Sequence, residues 1–435
     1  MNYRQCLDYL EQIQTLGIKF GLDNVRAILS SLGNPHHSYP SVLVAGSNGK
    51  GSVCAMLTRI LTLHGLKAGL YTSPHLVRYE ERIRIGENPV PAKAFSRVLT
   101  RLRSQIERLI GAGKLASPPT HFEFLTCAAL MYFEEERVDM AVLEVGMGGR
   151  FDATNVATPA LSVITTISEE HQSSLGDSLA EIAFEKAGII KPGTPLVCGV
   201  EPDEAVRTIR ERAVEMDAPF LQVFGQDSTL EPDLSSPGGG FRYVSSGETH
   251  VFTPSLPGRH QARNGAVALA AALELGRSWQ PLSREKIIEG IQTTRWEGRL
   301  ESFLEQPRVV LDGAHNPEGA EALREYIQEH LAPPVILVFA TMQDKKIEDL
   351  ARLLFPLAER IILTRYPFSR AASPEEIARR AHHFRDKLEL VPDTAEAVSR
   401  GLELARERGS VVITGSLFLV GEVKKLFPDP QGALS

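Results

Sequence analysis

Short apolar runs alternate along the chain with stretches in which apolar residues recur at helical spacing. The runs are rich in β-branched residues and end at turns, which is typical of buried strands. In the first part of the chain we predict strands at Ser41–Ala45, Lys67–Tyr71, Met140–Val145, Leu161–Ile167 and Pro195–Gly199. Strands without a polar face that alternate with helices, such as the one predicted at Val53–His64, indicate a parallel sheet covered on both faces. The fold class is therefore predicted to be α/β.

The same alternation begins again near Arg308. Further strands are predicted at Arg308–Leu311, Val335–Phe339, Arg360–Leu363, Glu389–Val391 and Ser410–Thr414, and helices at Pro317–His330 and Pro374–Ala381. We therefore expect two α/β domains, a larger one over residues 1–297 and a smaller, Rossmann-like one over residues 298–435. The segment Asp227–Gly247 is rich in Ser, Gly and Pro, and is predicted to be irregular with weak strand character.

Composition excludes several classes of protein. The 435 residues are 43% apolar and 23% charged, which is a globular balance. A net charge of −7 without a block of Lys or Arg argues against nucleic acid and anionic membrane as partners. The apolar runs are far shorter than the ~20 residues of a membrane span, and the N-terminus lacks the apolar core of a secretion signal. The four cysteines form no CxxC pair, so we expect buried thiols and a cytoplasmic location.

A glycine-rich turn follows the first predicted strand, in the segment Val44–Ser52. The order of strand, glycine turn and helix directs backbone N–H groups and the helix dipole at an anion. Lys50 would add a charge for the outer phosphates of a nucleotide, and Ser52 a hydroxyl for a metal ion. The match to GxxxxGK[ST] is irregular, because Val44 occupies the first glycine position and Gly51 separates Lys50 from Ser52. The alternative is a glycine turn with one exposed lysine.

An acid lies inside the predicted strand Met140–Val145. Glu144 would be costly there unless it is paired or bound to a metal, and the carboxyl ends of strands are where ligands bind in open α/β sheets. It is therefore a candidate magnesium ligand, with a salt-bridged structural role as the alternative. The loop that follows does not match the dinucleotide-binding motif, because Phe151 occupies the position of its third glycine. The loop would place Arg150 and Asp152 either against a substrate or in solvent.

Two further residues have ambiguous local patterns. His171 follows the strand Leu161–Ile167 and could be a ligand, although a single histidine is more often structural. Lys186 lies in the last turn of a helix predicted to be capped by Asp177 or Ser178, where a cation suits the helix dipole. The pattern by itself does not assign either residue to a site.

The second half repeats the order of strand and acid. In the segment Val309–Pro317, Asn316 is a good N-cap and Pro317 suits the first helical position. Asp312 and His315 would then lie on a tight loop at the carboxyl edge of the sheet. That placement favours contact with a ligand over a solvated loop.

Taken in order, these segments resemble folylpolyglutamate synthase/dihydrofolate synthase, within the Mur ligase superfamily. The matching stretches are GSNGKGS at 46–52, SPHL at 73–76, HFEFLT at 121–126, LEVGMGGRFDATN at 143–155, FEKAGIIKPG at 184–193, LPGRHQARN at 256–264, GR at 298–299 and DGAHNP at 312–317. The resemblance implies a P-loop-type ATPase domain followed by a ligase domain with glutamate and ATP contacts. It also implies ATP-dependent joining of L-glutamate to a folate or dihydropteroate through an acyl phosphate, in folate biosynthesis.

The resemblance also implies roles for individual residues. The implied cofactors are ATP and Mg²⁺, with two metal ions expected, and we expect a monomer. The catalytic residues would be Lys50, Glu144, His171 and Lys186. ATP would be held by Asn48, Gly49, Lys50, Gly51, Ser52, Asn264, Arg299, Asp312 and His315. Metal would be held by Ser52, Ser73, Glu144, His171 and, if carbamylated, Lys186. The folate or dihydropteroate would contact Thr120, His121, Phe122, Glu123, Phe151, Asp152 and Ala153.

Two departures and two alternatives remain open. The family usually has Asp-His where this chain has Glu170-His171, and Thr where Ser47 stands. Imidazole is also an unusual ligand for magnesium. A cell-wall Mur-type amino-acid ligase shares the phosphate loop, although only about forty residues precede that loop here, too few for a nucleotide-sugar domain. A non-ligase P-loop ATPase would be expected to carry a regular Walker A motif.

Overall fold

The computed structural model describes residues 1–14, 17, 21–115, 117–169, 175–233, 240–245 and 247–428. The contacts divide the chain into two compact units. The first consists of Met1–Ser73, Tyr79–Ser255 and Ala262–Thr294, and the second of Pro74–Arg78, Leu256–Gln261 and Arg295–Ser435. Each unit is built from segments that are not contiguous in the sequence.

Helices and strands alternate through both units. The helices are α1 (Tyr3–Gln14), α2 (Asp23–Ser31), α3 (Lys50–Leu63), α4 (Ala92–Gly111), α5 (His121–Glu135), α6 (Leu179–Ala187), α7 (Asp203–Glu215), α8 (Arg259–Ser278), α9 (Arg284–Thr293), α10 (Pro317–His330), α11 (Ile347–Leu354), α12 (Pro374–Arg380), α13 (Thr394–Ala405) and α14 (Leu417–Leu426). The strands are β1 (Ser41–Ala45), β2 (Ala68–Tyr71), β3 (Ile83–Ile85), β4 (Asn88–Pro89), β5 (Met140–Glu144), β6 (Leu161–Ile164), β7 (Leu196–Cys198), β8 (Phe220–Gln222), β9 (Ser228–Pro232), β10 (Phe241–Ser245), β11 (Glu248–Phe252), β12 (Glu301–Glu305), β13 (Arg308–Leu311), β14 (Val335–Phe339), β15 (Arg360–Leu363), β16 (Leu388–Leu390) and β17 (Ser410–Thr414).

The main sheet of the first unit has eight strands in the order β4-β3-β2-β5-β1-β6-β7-β8. The pairs from β2 to β8 are parallel, and β3 and β4 add an antiparallel edge. Every residue of β1 and β5 is buried, as expected for strands covered on both faces. Val44 pairs with Glu144 of β5 and with Val163 of β6, so the residues that follow these strands meet at one edge. This edge carries the candidate site.

The segment predicted to be irregular forms a second, antiparallel sheet of three strands in the order β11-β10-β9. Its registers are regular, running from Phe241 opposite Phe252 to Ser245 opposite Glu248. For the described part of Asp227–Gly247 the predicted strand character is therefore confirmed by β9 and β10, whereas the predicted irregularity was wrong. Most residues of these strands reach solvent, so the sequence there has no apolar run to mark them.

The second unit contains a six-stranded sheet in the order β12-β13-β17-β14-β15-β16. It is parallel except for β12, which pairs antiparallel with β13. Helix α10 begins where the sequence predicts it, because Asn316 accepts a hydrogen bond from Gly319 N at 2.8 Å and Pro317 occupies the first turn. Apolar side chains pack on both faces of the sheet, which gives this unit its own core.

The α/β fold class is confirmed, and several predicted elements have the observed bounds. Ser41–Ala45, Arg308–Leu311, Val335–Phe339, Arg360–Leu363 and Ser410–Thr414 are strands, and Pro317–His330 is a helix. The four cysteines are buried free thiols, as predicted. Among the described residues, every helix is too short or too polar to cross a membrane.

Candidate active site

The glycine-rich loop joins β1 to α3 at the carboxyl edge of the main sheet. Gly49 immediately precedes the helix and has a φ of 83°, which favours glycine. A Cβ at Gly49 would also collide with the side-chain oxygen of Asn264. The free N–H groups of the first turn of α3, beginning at Lys50, follow directly. The loop thus has the predicted form of an anion-binding turn, and Asn264 lies against it.

Residues after β6 hold this loop in place. Thr165 Oγ1 donates to the carbonyl oxygen of Asn48 at 2.5 Å, and Asn48 N donates to Thr166 Oγ1 at 2.9 Å. Ser47 N donates to the carbonyl oxygen of Thr166 at 2.8 Å. Neither threonine was among the predicted site residues, because a threonine after an apolar strand has no distinctive pattern. These bonds fix the loop backbone before any ligand binds.

Two lysines converge on a single carbonyl oxygen of the loop. Lys50 Nζ donates to Gly46 O at 2.7 Å and to Ser47 O at 3.1 Å. Lys186 Nζ donates to Gly46 O at 2.9 Å, and only 2% of the Lys186 residue is exposed. Like charges held close together repel, and more strongly where water is excluded. The pair therefore makes this loop a favourable place for a polyanion.

Glu144 lies beside the same loop. Its residue is 6% exposed, and its Oε2 accepts a hydrogen bond from Ser73 N at 2.9 Å. Burial and the charge of Glu144 raise the pKa of the Cys54 thiol on α3, while the charge of Lys50 opposes the shift. The charges of Glu144 and Lys50 therefore both act on the same thiol, that of Cys54, in the first unit. The structure brings together four predicted site residues from different parts of the sequence, which are Lys50, Ser73, Glu144 and Lys186.

The donor set around the loop fits a hard cation. Glu144 offers a carboxylate and Ser52, which is 2% exposed in the first turn of α3, offers a hydroxyl. Oxygen donors of this kind suit Mg²⁺, which also binds through phosphates and water. Within the described ranges, no group of three His, Cys, Asp or Glu side chains could hold a metal by itself. His171 lies outside the described residues, so its predicted role as a ligand stays a prediction.

Asp152 organises the loop that follows β5. Its Oδ2 accepts hydrogen bonds from Gly146 N and Met147 N, both at 3.0 Å. Its Oδ1 accepts from Thr154 N at 3.0 Å and Thr154 Oγ1 at 2.6 Å, which caps the short 3₁₀ helix Ala153–Val156. Burial raises the pKa of Asp152, and these four bonds oppose the rise. The carboxylate thus has a local structural role, and contact with a substrate stays a prediction, as it does for Ala153.

Arg150 is paired within the protein. Its Nη2 lies 2.6 Å from Glu185 Oε1, and its guanidinium carbon is 4.4 Å from the ring centre of Phe151 and 5.1 Å from that of Phe184. Phe151 is 41% exposed. The sequence left Arg150 open between a substrate contact and a solvated charge. The structure shows an ion pair between two rings on a side chain that is 45% exposed, and the substrate contact stays a prediction.

The start of α5 is a capping box. Glu123 N donates to Thr120 Oγ1 at 3.3 Å, and Thr120 N donates to Glu123 Oε2 at 2.7 Å. Both side chains, predicted as substrate contacts, therefore satisfy free N–H groups at the helix start. The sequence pattern Thr-x-x-Glu is typical of such a capping box, which gives both side chains a structural role. Their contact with a substrate stays a prediction.

The other two predicted substrate residues of this helix face a different environment. Burial and the charge of Arg82 lower the pKa of His121 to about 3, and its buried Nε2 has no hydrogen-bond partner among the described residues. The ring of Phe122 lies against Gly146, where a Cβ would come within 2.6 Å of it. Arg82 is 6% exposed and was not predicted. Its sequence context, Tyr79–Ile85, looks like a solvated charged run.

In the second unit, Asp312 follows β13 and ties two loops together. Its Oδ2 accepts from Leu300 N at 2.9 Å and its Oδ1 from Ala314 N at 2.8 Å. Leu300 has a φ of 48°, a strained value for a buried leucine, so the bond to Asp312 helps to hold it. Burial raises the pKa of Asp312, and the charge of Arg299 opposes the rise.

Arg299 and His315 lie against the same turn. Arg299 Nη1 donates to Gly298 O at 3.1 Å, and a Cβ at Gly313 would come within 2.8 Å of that nitrogen. His315 Nδ1 lies 2.8 Å from Gly313 O. The turn thus gathers three of the predicted nucleotide residues, Arg299, Asp312 and His315, within the second unit.

Comparisons with known proteins give a consistent result. The family model of the Mur ligase middle domain matches residues 44–272, and that of the Mur ligase, glutamate ligase domain matches residues 298–417. The dihydrofolate synthase/folylpolyglutamate synthase of Bacillus subtilis is 32% identical over 428 residues, covering 97% of this chain and 98% of that protein.

Solved structures agree. Folylpolyglutamate synthase of Mycobacterium tuberculosis, solved with ADP and AMPPCP, has a TM-score of 0.90 at 29% identity, with 98% of this chain and 99% of that chain covered. E. coli FolC, solved with DHPP and ADP, has a TM-score of 0.88 at 29% identity, with 99% of each chain covered.

Proposed function

Because the chain belongs to the folylpolyglutamate synthase/dihydrofolate synthase family of Mur ligases, a family of ATP-dependent ligases, we propose that it joins L-glutamate to the carboxylate of dihydropteroate or a folate. The observation that carries the proposal is the convergence of Lys50 and Lys186 on Gly46 O beside the buried Glu144. A phosphate loop with two cations and a neighbouring carboxylate is suited to phosphoryl transfer onto an acid.

The proposed reaction has two steps. A carboxylate oxygen of the acceptor attacks the γ-phosphorus of ATP, the bond to the bridging oxygen breaks, and ADP leaves. The amino group of glutamate then attacks the acyl carbon, phosphate leaves with the bonding electrons, and the amine loses a proton as the amide forms. The first step turns a poor electrophile into one with a good leaving group.

The residues of the loop would stabilise charge in the first step. The N–H groups at the start of α3 would hold phosphate oxygens, and Lys50 would turn from Gly46 O to the γ-phosphate. Asn264, which lies against Gly49, would hold the nucleotide over the loop. In the second unit, the turn that carries Arg299, Asp312 and His315 would contribute further nucleotide contacts.

Magnesium fits the oxygen donors of the first unit. Ser52 and Glu144 would hold it, with Ser73 N keeping the Glu144 carboxylate oriented through its 2.9 Å hydrogen bond. When bound, Mg²⁺ would offset the negative charge on the transferred phosphoryl group. Carbamylation of Lys186 would be a second state of the site: it would replace the ammonium group by a carboxylate that holds a second ion, and Lys50 would then supply the positive charge.

The test compares acceptors directly. Purified protein is incubated with ATP, Mg²⁺ and L-glutamate, with dihydropteroate, tetrahydrofolate or neither, and both phosphate release and product mass are measured. We expect phosphate release only with an acceptor, and a product heavier by one glutamyl residue. Release without an acceptor, or none in any mixture, would contradict the proposal.

Two variants and a control test the site itself. Lys50→Ala and Glu144→Gln should each abolish product while the far-UV circular dichroism stays unchanged. Lys67→Ala is the matched control, because Lys67 makes an exposed ion pair with Glu136 at 2.7 Å. Loss of activity in the control as well, or normal activity in either site variant, would count against the assigned roles.

A further inference from the structure

One arginine of the second unit makes four hydrogen bonds at a single junction of loop and helix. Arg380 is the last residue of α12. Its Nε and Nη2 donate to the two carboxylate oxygens of Glu348, both at 2.7 Å. Its Nη1 donates to Gln343 O at 3.2 Å, and its Nη2 also donates to Lys345 O at 3.1 Å. The guanidinium thus joins α12, the first turn of α11 and the loop 340–346, which connects β14 to α11.

The bonds to the two carbonyl oxygens fix the backbone of this loop. On another side of the loop, Gln343 N donates to Arg370 O at 3.0 Å and Ala372 N donates to Thr341 O at 2.9 Å. Only 20% of the Arg380 side chain is exposed. A planar guanidinium with fixed N–H directions sets the angle as well as the distance of its acceptors, which a lysine ammonium does not. The form of the loop therefore depends on an arginine at this position.

The loop 340–346 lies on the same edge of the six-stranded sheet as the turn that carries Asp312. Strand β17 lies between β13 and β14. On one side of β17, Asp312 N donates to Ile413 O at 3.0 Å, and on the other side Ala340 N donates to Thr414 O at 3.3 Å. Neighbouring strands are about 4.8 Å apart, so the start of the loop lies about 10 Å along the edge from the turn. The carboxyl edge of a parallel sheet is where such folds bind ligands.

The proposed reaction requires a second ligand beside the nucleotide. The amino group of glutamate attacks the carbon from which phosphate leaves, so glutamate must bind next to the transferred phosphoryl group. The turn that carries Arg299, Asp312 and His315 is proposed to contact the nucleotide. L-Glutamate has two carboxylates, and the loop brings two half-buried lysines, Lys345 and Lys346, to the neighbouring part of the edge. Two ammonium groups match these two carboxylates in number and in charge.

We propose that Arg380 is a positioning residue for the amino-acid substrate, because it holds the loop 340–346 in the form that binds the carboxylates of L-glutamate. This inference rests on the proposed function, and it adds a residue that acts through the loop without touching a substrate. A loop that Arg380 does not hold must be ordered by glutamate itself. Glutamate would then bind more weakly, whereas the reaction of the bound substrate would be retained.

The experiment measures the Michaelis constant of each substrate separately. Product formation is followed for the wild type, Arg380→Met and Arg380→Lys while glutamate, ATP or dihydropteroate is varied in turn. We expect the KM for glutamate to rise about tenfold or more in both variants, with the other two KM values and kcat within about twofold of the wild type. Lysine keeps the charge but not the planar set of donors, so Arg380→Lys should not restore the wild-type KM.

Arg400→Met is the matched control. Arg400 lies on α13 of the same unit and also pairs with two acids, Glu389 at 2.8 Å and Glu403 at 3.0 Å. Its removal therefore breaks comparable ion pairs and leaves the loop 340–346 in place. All three KM values of this control should stay within about twofold of the wild type, because exposed ion pairs contribute little. Thermal unfolding identifies a temperature at which every protein is folded.

Glu348→Ala serves as a second variant if neither Arg380 variant folds. The Glu348 side chain is 45% exposed, and its removal takes away the partner that fixes the plane of the guanidinium. The KM for glutamate should then rise about threefold or more, again without a change for ATP or dihydropteroate. An unchanged KM for glutamate in Glu348→Ala would in that case overturn the inference.

Three results with folded Arg380 variants would also overturn it. These are a wild-type KM for glutamate in Arg380→Met, full restoration of that KM in Arg380→Lys, and an equal rise in all three KM values, which indicates a general structural role. If the wild type makes the glutamylated product and its KM for glutamate does not depend on Arg380, only this inference fails. If the wild type makes no such product, the proposed function fails.

Discussion

The substitution Asp152→Asn distinguishes two roles for one carboxylate. The sequence predicts Asp152 as a substrate contact, whereas the structure gives its two oxygens four hydrogen bonds from the loop that it closes. Asparagine has nearly the same shape but keeps only one accepting oxygen. Its amide NH₂ would face either the N–H groups of Gly146 and Met147 or the two donors of Thr154, and the pair that it faces would lose its acceptor.

The expected loss follows from the two broken bonds. Hydrogen bonds to a charged group contribute about 1.5–3 kcal/mol each, so we expect the free energy of unfolding to fall by about 3 kcal/mol or more. In a unit of this size, each kcal/mol of lost stability lowers the melting temperature by about 2–4 °C, so we expect the melting temperature to fall by roughly 6–12 °C. The change should be large because the residue is only 7% exposed, so water cannot replace the lost acceptor.

The stability of the wild type and of the variant is measured by urea and thermal unfolding. The Michaelis constant for dihydropteroate is then measured at a temperature at which both proteins are folded. Asp393→Asn is the control, because Asp393 caps α13 through one bond to Glu396 N at 2.9 Å and asparagine caps equally well. An Asp152 variant that unfolds like the wild type and loses only affinity for dihydropteroate would refute the structural role and support direct contact with the substrate.

Three further substitutions test other parts of the structure. Gly49→Ala places a Cβ against Asn264, and the left-handed backbone conformation at this position alone costs alanine about 1–2 kcal/mol. The affinity for ATP should therefore fall about tenfold, and an unchanged affinity in a nucleotide titration would contradict this. Lys186→Met keeps the buried aliphatic stem but removes the ammonium group, so phosphate release should fall about a hundredfold with unchanged circular dichroism, and a near-normal rate would exclude the proposed role. Glu348→Gln removes a carboxylate whose pKa the hydrogen bonds from Arg380 lower to about 2. The folded pKa lies below the unfolded one, so the wild type should be more stable than the variant above pH 4.5, and this difference should disappear as the pH falls toward 2. The difference in the free energy of unfolding should be at most about 1 kcal/mol, because the ion pair is exposed. Urea midpoints of the two proteins that differ equally at all pH values would contradict this.

The sequence predicted those parts of the fold in which burial leaves a local pattern. Strands covered on both faces, such as Val335–Phe339 and Ser410–Thr414, have the predicted bounds because every position is apolar or small. For the opposite reason, the sequence indicated only weak strand character in the segment that contributes to the three-stranded sheet. Its strands face solvent, so they carry neither an apolar run nor a clear alternation.

For the site, local patterns identified the residues near the glycine turn but not their partners. Glu144 was found because an acid inside an apolar strand is conspicuous. Lys186 was not, because its 2% exposure arises from contact with a loop 140 residues earlier in the chain. Arg82 was missed since burial of an arginine depends on the elements packed around it. Conversely, the pattern Thr-x-x-Glu is typical of the capping box that the structure shows at Thr120 and Glu123, whereas the family resemblance implies a substrate contact for both residues.

The shared acceptor at Gly46 has a consequence for the energetics of nucleotide binding. In the resting loop both ammonium groups already have a partner, so an incoming phosphate does not meet bare cations but must exchange places with a peptide oxygen. Part of the favourable enthalpy of the contact between phosphate and lysine is therefore offset by the loss of the hydrogen bond between lysine and Gly46 O. A small anion makes none of the contacts that the rest of the nucleotide provides, so it has less binding energy to offset the broken hydrogen bonds. The loop therefore binds small anions more weakly than nucleotides without any steric barrier.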